Sequence, residues 1–203
     1  MKAFDVCTGH AAVIDRDDVD TDLIVRIERI SQLKRGEFQP WAFETQRGRP
    51  DGRENPDFVL NQPPFREARI VVTGKNFGCG SSREMAVWAL DEFGIRCVIA
   101  SSYGDIFYNN CFQNGVLPVR LAPEEIAAIM PVAARGELLT VDLQACQVRV
   151  PGLEPFSFSL PESQRTALLN GQDDVDQAVA REARVAEFQR ADRARRPWVY
   201  ASA

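Results

Sequence analysis

Thr73-Gly74-Lys75-Asn76-Phe77-Gly78-Cys79-Gly80-Ser81-Ser82-Arg83-Glu84-Met85-Ala86 is the stretch around which the rest of the chain can be arranged. Ahead of it, Ile70-Val71-Val72 is apolar and β-branched, the composition of a buried strand. Behind it, Val87-Trp88-Ala89-Leu90-Asp91-Glu92-Phe93 suits a helix, and Gly94 suits its end. The order is therefore strand, glycine-rich loop, helix. A junction of this kind points free backbone N–H groups and the positive end of a helix dipole at one place, so an anion site is expected there.

Composition narrows the chemistry. The chain has 203 residues, enough for one domain or one domain with an appendage, and 45% of them are hydrophobic, enough for a sizeable core. The formal net charge of -5 argues against general nucleic-acid binding. No apolar run approaches the roughly 20 residues of a membrane span, and the first residues carry no apolar leader, so a cytoplasmic protein is expected. The five cysteines, Cys7, Cys79, Cys97, Cys111 and Cys146, are far apart and form no C-x-x-C pair. Neither a zinc ribbon nor the spacing of iron–sulfur ligands is present, and no metal site is expected on this chain. His10 is the one histidine, which nearly excludes a His-based zinc site and leaves a Ser-His-Asp triad little to draw on.

Taken in order, residues 11–14 predict a short first strand. Residues 15–22 hold five aspartates but lack the mid-loop glycine and closing glutamate of a calcium loop, so a solvated, capping turn is the better reading. Residues 23–30 fit helix or strand equally. Residues 34–66, rich in proline and glycine, are expected to be an irregular loop anchored by Trp41 and Phe43. After the central loop, residues 96–100 predict a second buried strand, parallel to the first across a β-α-β unit. The loop at 101–105 then falls on the same sheet edge as residues 78–83, where α/β proteins bind ligands. A short helix at 106–110, a strand at 116–119 and a helix at 123–130, ended by Pro131, follow. Three strands are expected at 138–141, 147–150 and 156–160. The rest reads as a helical extension over 162–203: a helix ending at Asn170-Gly171, then one running from Asp173 to about Arg196. The arginines of that last helix are interleaved with Glu182, Glu187 and Asp192, which marks a solvated or partner-facing surface.

Three familiar motifs fail at the central loop. Gly78-Cys79-Gly80 begins a dinucleotide fingerprint, but Arg83 stands where its third glycine belongs. No Gly-Lys-Ser/Thr follows for a phosphate loop, and no glycine follows Ser81-Ser82 for a nucleophile elbow. What remains is a Ser-x-x-Glu spacing, Ser81 to Glu84, which by itself predicts only a capping box with Ser81 as N-cap. Arg83 adds a planar clamp for a carboxylate or phosphate, and the glycines at 78 and 80 let a ligand approach the backbone. A serine among N–H donors and a guanidinium loses its proton more easily than in water. Such a base can take a proton from a carbon beside a carboxylate that Arg83 holds.

Asn76-Phe77-Gly78-Cys79-Gly80-Ser81-Ser82-Arg83-Glu84 resembles the signature of the swivelling domain of the aconitase superfamily, and in particular of its stand-alone small subunits of the 3-isopropylmalate dehydratase family. Asp20-Thr21-Asp22, Phe58-Val59-Leu60-Asn61, residues 105–112, Asn114-Gly115-Val116-Leu117-Pro118, Asn170-Gly171 and Arg196-Pro197-Trp198 match further family motifs in the same order, so the resemblance covers nearly the whole chain. It implies an α/β fold, one β/β/α swivelling domain over residues 1–203 with C-terminal helices. It implies a large-subunit partner carrying a [4Fe-4S] cluster, whose open iron acts as a Lewis acid on a leaving hydroxyl, and no cofactor on this chain. The implied substrate is a small hydroxy di- or tricarboxylate. The implied reaction is dehydration and rehydration, here the isomerisation of 2- and 3-isopropylmalate in leucine biosynthesis. A paralogous substrate (homoaconitate, dimethylmalate or a methyl-branched dicarboxylate) and a non-catalytic binding module are the alternatives. By motif match, Ser81 is the base, Thr21 and Asp22 support it, and Ser82, Arg83 and Gly80 meet the substrate.

Two departures from the family pattern stand out. Met85 replaces a histidine, on what reads as the same helix face as Ser81. Leu23 and Arg26 replace the glutamine and proline that follow the Asp-Thr-Asp motif. Since the loop after that motif helps choose substrate in the family, Arg26 or Arg29 is expected to contact a substrate carboxylate.

Overall fold

The computed structural model describes residues 1–200. In chain order the principal elements are β1 (Val6–Ile14), α1 (Thr21–Ile24), α2 (Ile27–Ile30), α3 (Glu44–Arg47), β2 (Ile70–Thr73), α4 (Glu84–Phe93), β3 (Cys97–Ala100), α5 (Asp105–Asn114) and β4 (Leu117–Arg120). They continue with α6 (Pro123–Ala134), β5 (Leu138–Asp142), β6 (Gln147–Arg149), β7 (Phe156–Ser157), α7 (Glu162–Asn170), α8 (Asp174–Val179) and α9 (Glu182–Arg195). The seven strands form one sheet in the order β4-β3-β2-β1-β5-β6-β7.

The β1 strand is the pivot of this mixed sheet. Its second half, Ala11 to Ile14, pairs in parallel with Ile70 to Thr73 of β2. Its first half, Val6 to His10, pairs antiparallel with β5. The expected strand at 11–14 is thus only the parallel half. The β2, β3 and β4 strands run parallel, as expected for a β-α-β succession. They are buried on both faces, and alternate residues divide between two cores. Val71 and Val98 face one core, with Phe77, Leu90 and Phe107. Ile70, Val72 and Ile99 face the other, with Ile126, Ile129 and Leu139.

Several expected boundaries move for identifiable reasons. Residues 23–30 form two short helices, α1 and α2, separated by extended Val25. Residues 34–66 follow an irregular path broken by short turns of helix and packed into the core. They contain α3 and three 3-10 turns, and they bury Phe38, Phe43, Leu60 and Phe65 in the first core. Pro131 does not end its helix: α6 runs on to Ala134, because Val132 and Ala133 beyond it are buried in the second core. The long terminal helix is instead two, broken between Val179 and Glu182. Gly171 closes α7 in the left-handed conformation, as its Asn-Gly pair predicts.

Two loops at the carboxyl ends of β2 and β3 are laced together. Phe77 N–H donates to Ser102 O at 3.0 Å, Gly104 N–H to Phe77 O at 3.0 Å, and Asn76 N–H to Ser102 Oγ at 2.8 Å. Tyr103, buried beneath them, has its hydroxyl 2.7 Å from Val98 O and 2.8 Å from Val119 O, bridging β3 and β4. A hydroxyl has one proton, so the two carbonyls share it. Tyr103→Phe is expected to lower unfolding free energy by about 1–3 kcal/mol, because both carbonyls then lose a buried donor. Urea denaturation with an unchanged m-value reads this directly; an unchanged midpoint would mean the bridge carries no net stability.

Candidate active site

Where β1 and β2 end side by side, their outgoing chains stay together. Gly74 N–H and Thr73 Oγ1 both donate to Arg16 O, at 3.2 and 3.1 Å. Asp18 N–H donates to Lys75 O at 3.0 Å, Gly78 N–H to Val19 O at 2.7 Å, and Thr21 N–H to Cys79 O at 3.0 Å. The Thr21 hydroxyl then donates to Ser81 O at 3.0 Å. The acidic turn at 15–22 is therefore neither a metal loop nor merely solvated. Its backbone forms the second rail on which residues 74–81 run, and Asp17 and Asp18 bond to Lys75 N–H and the Asn76 amide at 2.9 and 2.7 Å.

Two glycines in the loop are dictated by geometry. Gly78 has φ +71, and a Cβ there would lie 2.1 Å from the Phe107 ring. Gly80 has φ +91, and a Cβ there would meet Asp20 and Thr21 only at ordinary contact distances of 3.6 and 3.7 Å, so its requirement is conformational.

The expected capping box does not form. Helix α4 begins at Glu84, Arg83 is its N-cap residue, and no side chain caps it. Ser81 and Ser82 lie ahead of the helix and are exposed. The Glu84 carboxylate is drawn away instead: Asn114 Nδ2 donates to its Oε1 at 2.9 Å, while Trp88 Nε1 donates to Asn114 Oδ1 at 2.9 Å. Met85 accordingly does not share a helix face with Ser81, which is not on the helix. It is half-buried against the first core.

Arg83 is buried, and its Nη1 contacts Asp22 Oδ1 while making no well-aligned hydrogen bond. A buried guanidinium with unused donor capacity beside an exposed serine pair suits an incoming carboxylate. The same Asp22 oxygen accepts from Ile27 N–H at 3.2 Å. Arg83, first, and then the Ile27 N–H and the charges of Arg83 and Arg26 hold the Asp22 carboxyl below the usual carboxylate range, against a partial desolvation that acts the other way. Thr21, Asp22, Gly80, Ser81, Ser82 and Arg83 are thus brought together.

Arg26 pairs with Glu28 at 2.7 Å on the surface, and its charge reaches Asp22. Arg29 is spoken for. Its Nε and Nη2 donate to the two oxygens of Glu44 at 3.0 and 2.5 Å, and it stacks 3.5 Å above Trp41. It braces α2 against α3 and is not free to read a substrate.

Cys79, half-buried in the loop, has its thiol pushed up by burial and then by Asp20 and Asp18. It is protonated at neutral pH, unlike a metal ligand or nucleophile. Cys97 and Cys111 are fully buried and shifted well upward by desolvation. Among the described residues no group of three or more His, Cys, Asp or Glu is placed to hold a metal ion. These cysteines do not fit an iron–sulfur cluster. A cleft of about 590 Å³ lined by Lys2, Arg66, Arg69 and Arg96 lies at the other end of β2 and β3, where Arg66 and Arg96 are already paired with Glu54 and Asp91.

The chain can be set beside known proteins on this geometry. Residues 1–124 match the model of the aconitase C-terminal domain. The 3-isopropylmalate dehydratase small subunit of Mesorhizobium japonicum is 46% identical, over 98% of this chain and 100% of its own. That of Dinoroseobacter shibae is also 46% identical, over 98% and 100%. The chain belongs to the 3-isopropylmalate dehydratase small-subunit family. A crystal structure of 3-isopropylmalate dehydratase from Methanocaldococcus jannaschii has the same fold, with a TM-score of 0.66 at 26% identity, covering 90% of this chain and 99% of that one. The aconitase-type α/β fold with C-terminal helices is therefore as expected. In this small-subunit chain the spacing pointed to Ser81 and Arg83, whereas Asn114 entered only as part of the matched motif Asn114-Gly115-Val116-Leu117-Pro118, with no role attached. Its buried amide and its hold on Glu84 had no local signal.

Asp22 gives a pH test with a defined sign. Its folded value is lowered, so the Asp22–Arg83 pair contributes fully above the unfolded aspartate value of about 3.9 and is lost only as pH falls through the lower folded value. A carboxyl-carbon NMR titration should place the Asp22 midpoint below about 3.9. A midpoint at or above that value would mean the pair does not form in solution.

Proposed function

We propose that this chain is the small subunit of 3-isopropylmalate dehydratase, a hydro-lyase of leucine biosynthesis that interconverts 2- and 3-isopropylmalate by dehydration and rehydration. The observation that carries the reading is 46% identity along essentially the full length of relatives bearing that name. Supporting it are exposed Ser81 and Ser82 beside the buried Arg83 guanidinium. The cytoplasm is the compartment that goes with such an enzyme.

In this reading residues 1–203 act as one swivelling unit that closes over a large subunit, and the [4Fe-4S] cluster belongs to that partner. No step on this chain runs through it. Arg83 and the Ser82 hydroxyl hold one substrate carboxylate, Gly80 lets it reach the backbone, and Arg26 stands at the rim. The Ser81 alkoxide takes the proton from the carbon beside that carboxylate. The C–H electron pair becomes the new double bond as hydroxide leaves the neighbouring carbon. Rehydration returns the elements of water with the positions exchanged. Thr21 fixes the Ser81 backbone through its 3.0 Å hydrogen bond, and Asp22 fixes Arg83. Removing one partner of such a charge-assisted pair disturbs orientation as well as charge.

In the reconstituted two-subunit enzyme, Ser81→Ala is expected to lower kcat by about 10²-fold or more, with co-purification of the large subunit unchanged. Unimpaired turnover in that variant would remove the base role from Ser81. The chain purified alone is expected to be colourless and inactive. A brown, cluster-bearing preparation of it alone would count against a cluster on the partner.

A further inference from the structure

The sheet edge that carries the serines also carries two exposed isoleucines and an exposed arginine. Ile27 is 58% exposed and Ile106 51%. An exposed apolar side chain is ordinary by itself, but each of these is attached to the signature loop. Ile27 N–H is fixed on Asp22, which is paired with Arg83. Ile106 follows Gly104, which packs so closely that a Cβ on it would stand 2.6 Å from Gly78 O and 3.1 Å from Cys79 Cα. The next side chain, Phe107, fills the space under Gly78. Ile106, Asn110 and Asn114 stand at i, i+4 and i+8 along α5, and Asn114 holds Glu84. That stripe of α5 faces the start of α4, and Ile106 is its open end.

Arg120 is the last residue of β4, level with Ala100 at the end of β3. Since β1 to β4 run parallel there, it lies on the edge from which residues 15–21 and 74–81 leave the sheet. Its guanidinium lies 4.0 Å above the Tyr108 ring and 6.0 Å from that of Tyr103. Among the described residues it pairs with no carboxylate. Stacking fixes the plane of the group and leaves its N–H rim free, which suits a carboxylate brought from outside.

On the dehydratase reading, a substrate held at Ser81 and Arg83 is acted on from its other side by the large subunit. That subunit's surface then comes within the length of a small hydroxy acid of the loop, and so covers the residues attached to it. Apolar anchors and arginines with a stacked, preset plane are the side chains that carry binding at such contacts. We infer that Ile27, Ile106 and Arg120 are docking contacts for the large subunit, the isoleucines entering apolar recesses on it and Arg120 taking one of its carboxylates. This rests on the dehydratase reading above, which supplies the partner.

The test titrates the purified cognate large subunit against the labelled full-length chain and reads Kd by fluorescence anisotropy. Ile106→Ser is expected to weaken binding about tenfold, Arg120→Gln about fivefold and Arg120→Glu by more. Val6→Ser, at an equally exposed position (52%) at the far end of β1, is expected to bind like wild type. Thermal midpoints of the variant chains should match wild type, and kcat at saturating small subunit should stay within about twofold. Weaker binding with kcat kept supports the proposal. Wild-type Kd in Ile106→Ser and Arg120→Gln overturns it, as does an equal loss in Val6→Ser. A normal Kd with a raised KM for 2-isopropylmalate also overturns it, because the side chains then meet substrate. Self-association of the chain alone that Ile106→Ser abolishes gives the face to a second copy and overturns it too. A wild-type chain that binds the large subunit but turns over no isopropylmalate removes the substrate assignment and leaves the Kd comparison standing. One that does not bind removes both.

Discussion

The parallel pairing of β1 with β2 carries the consequences on which this molecule depends. Parallel neighbours deliver their outgoing chains to the same edge of the sheet. The register Ile14 to Thr73 sends residues 15–21 and 74–81 away side by side, and they remain hydrogen-bonded for a further two turns of chain. Backbone bonds, not side chains, thus bring the Asp-Thr-Asp segment to the serines. Antiparallel pairing of the same residues would send the two segments to opposite edges. The other half of β1 is antiparallel to β5, and this lets a single strand join the parallel half of the sheet to the β5–β7 meander.

Competition for Glu84 shapes the site. The spacing from Ser81 to Glu84 is right for reciprocal capping, and in an isolated peptide the two would satisfy each other. The folded chain offers Glu84 a buried amide instead. Asn114 is buried, one of its Nδ2 protons goes to Asn110 O and the other to Glu84, so leaving that second donor unpaired costs more than leaving an exposed cap open. One consequence is a helix that starts later than its motif suggests. Another is that the two serines stay in front of it with their hydroxyls toward solvent.

Local windows made the β2-α4-β3 succession legible, because Ile70 to Val72 and Cys97 to Ala100 are β-branched or small throughout and Gly94 punctuates the helix between them. The α7 stop at Gly171 was legible for the same reason. The first half of β1 was not: Thr8, Gly9 and His10 have no apolar rhythm, and their partner strand comes about 130 residues later. That residues 34–66 also bury Phe38, Leu60 and Phe65 was not legible, because the surface that covers them is contributed by distant elements. In the candidate site, residue types and spacing pointed to Ser81 and Arg83, while Ser82, Thr21 and Asp22 came only from the family resemblance. Which carboxylate each arginine takes was decided by tertiary neighbours, Glu44 for Arg29 and Asp22 for Arg83.

The α9 helix is built differently from everything before it. Every residue from 181 to 191 is exposed, and the buried Asp192 is enclosed by its own neighbours, Arg196 and Tyr200, whose side chains donate to its carboxylate. A helix of 14 residues with no core behind it is marginal on its own. Resistance to opening must therefore be graded along the chain. Amides in β1, β2 and β3 exchange with solvent only when the whole sheet opens, while those of α9 exchange through local fraying that leaves the sheet and the paired site segments intact.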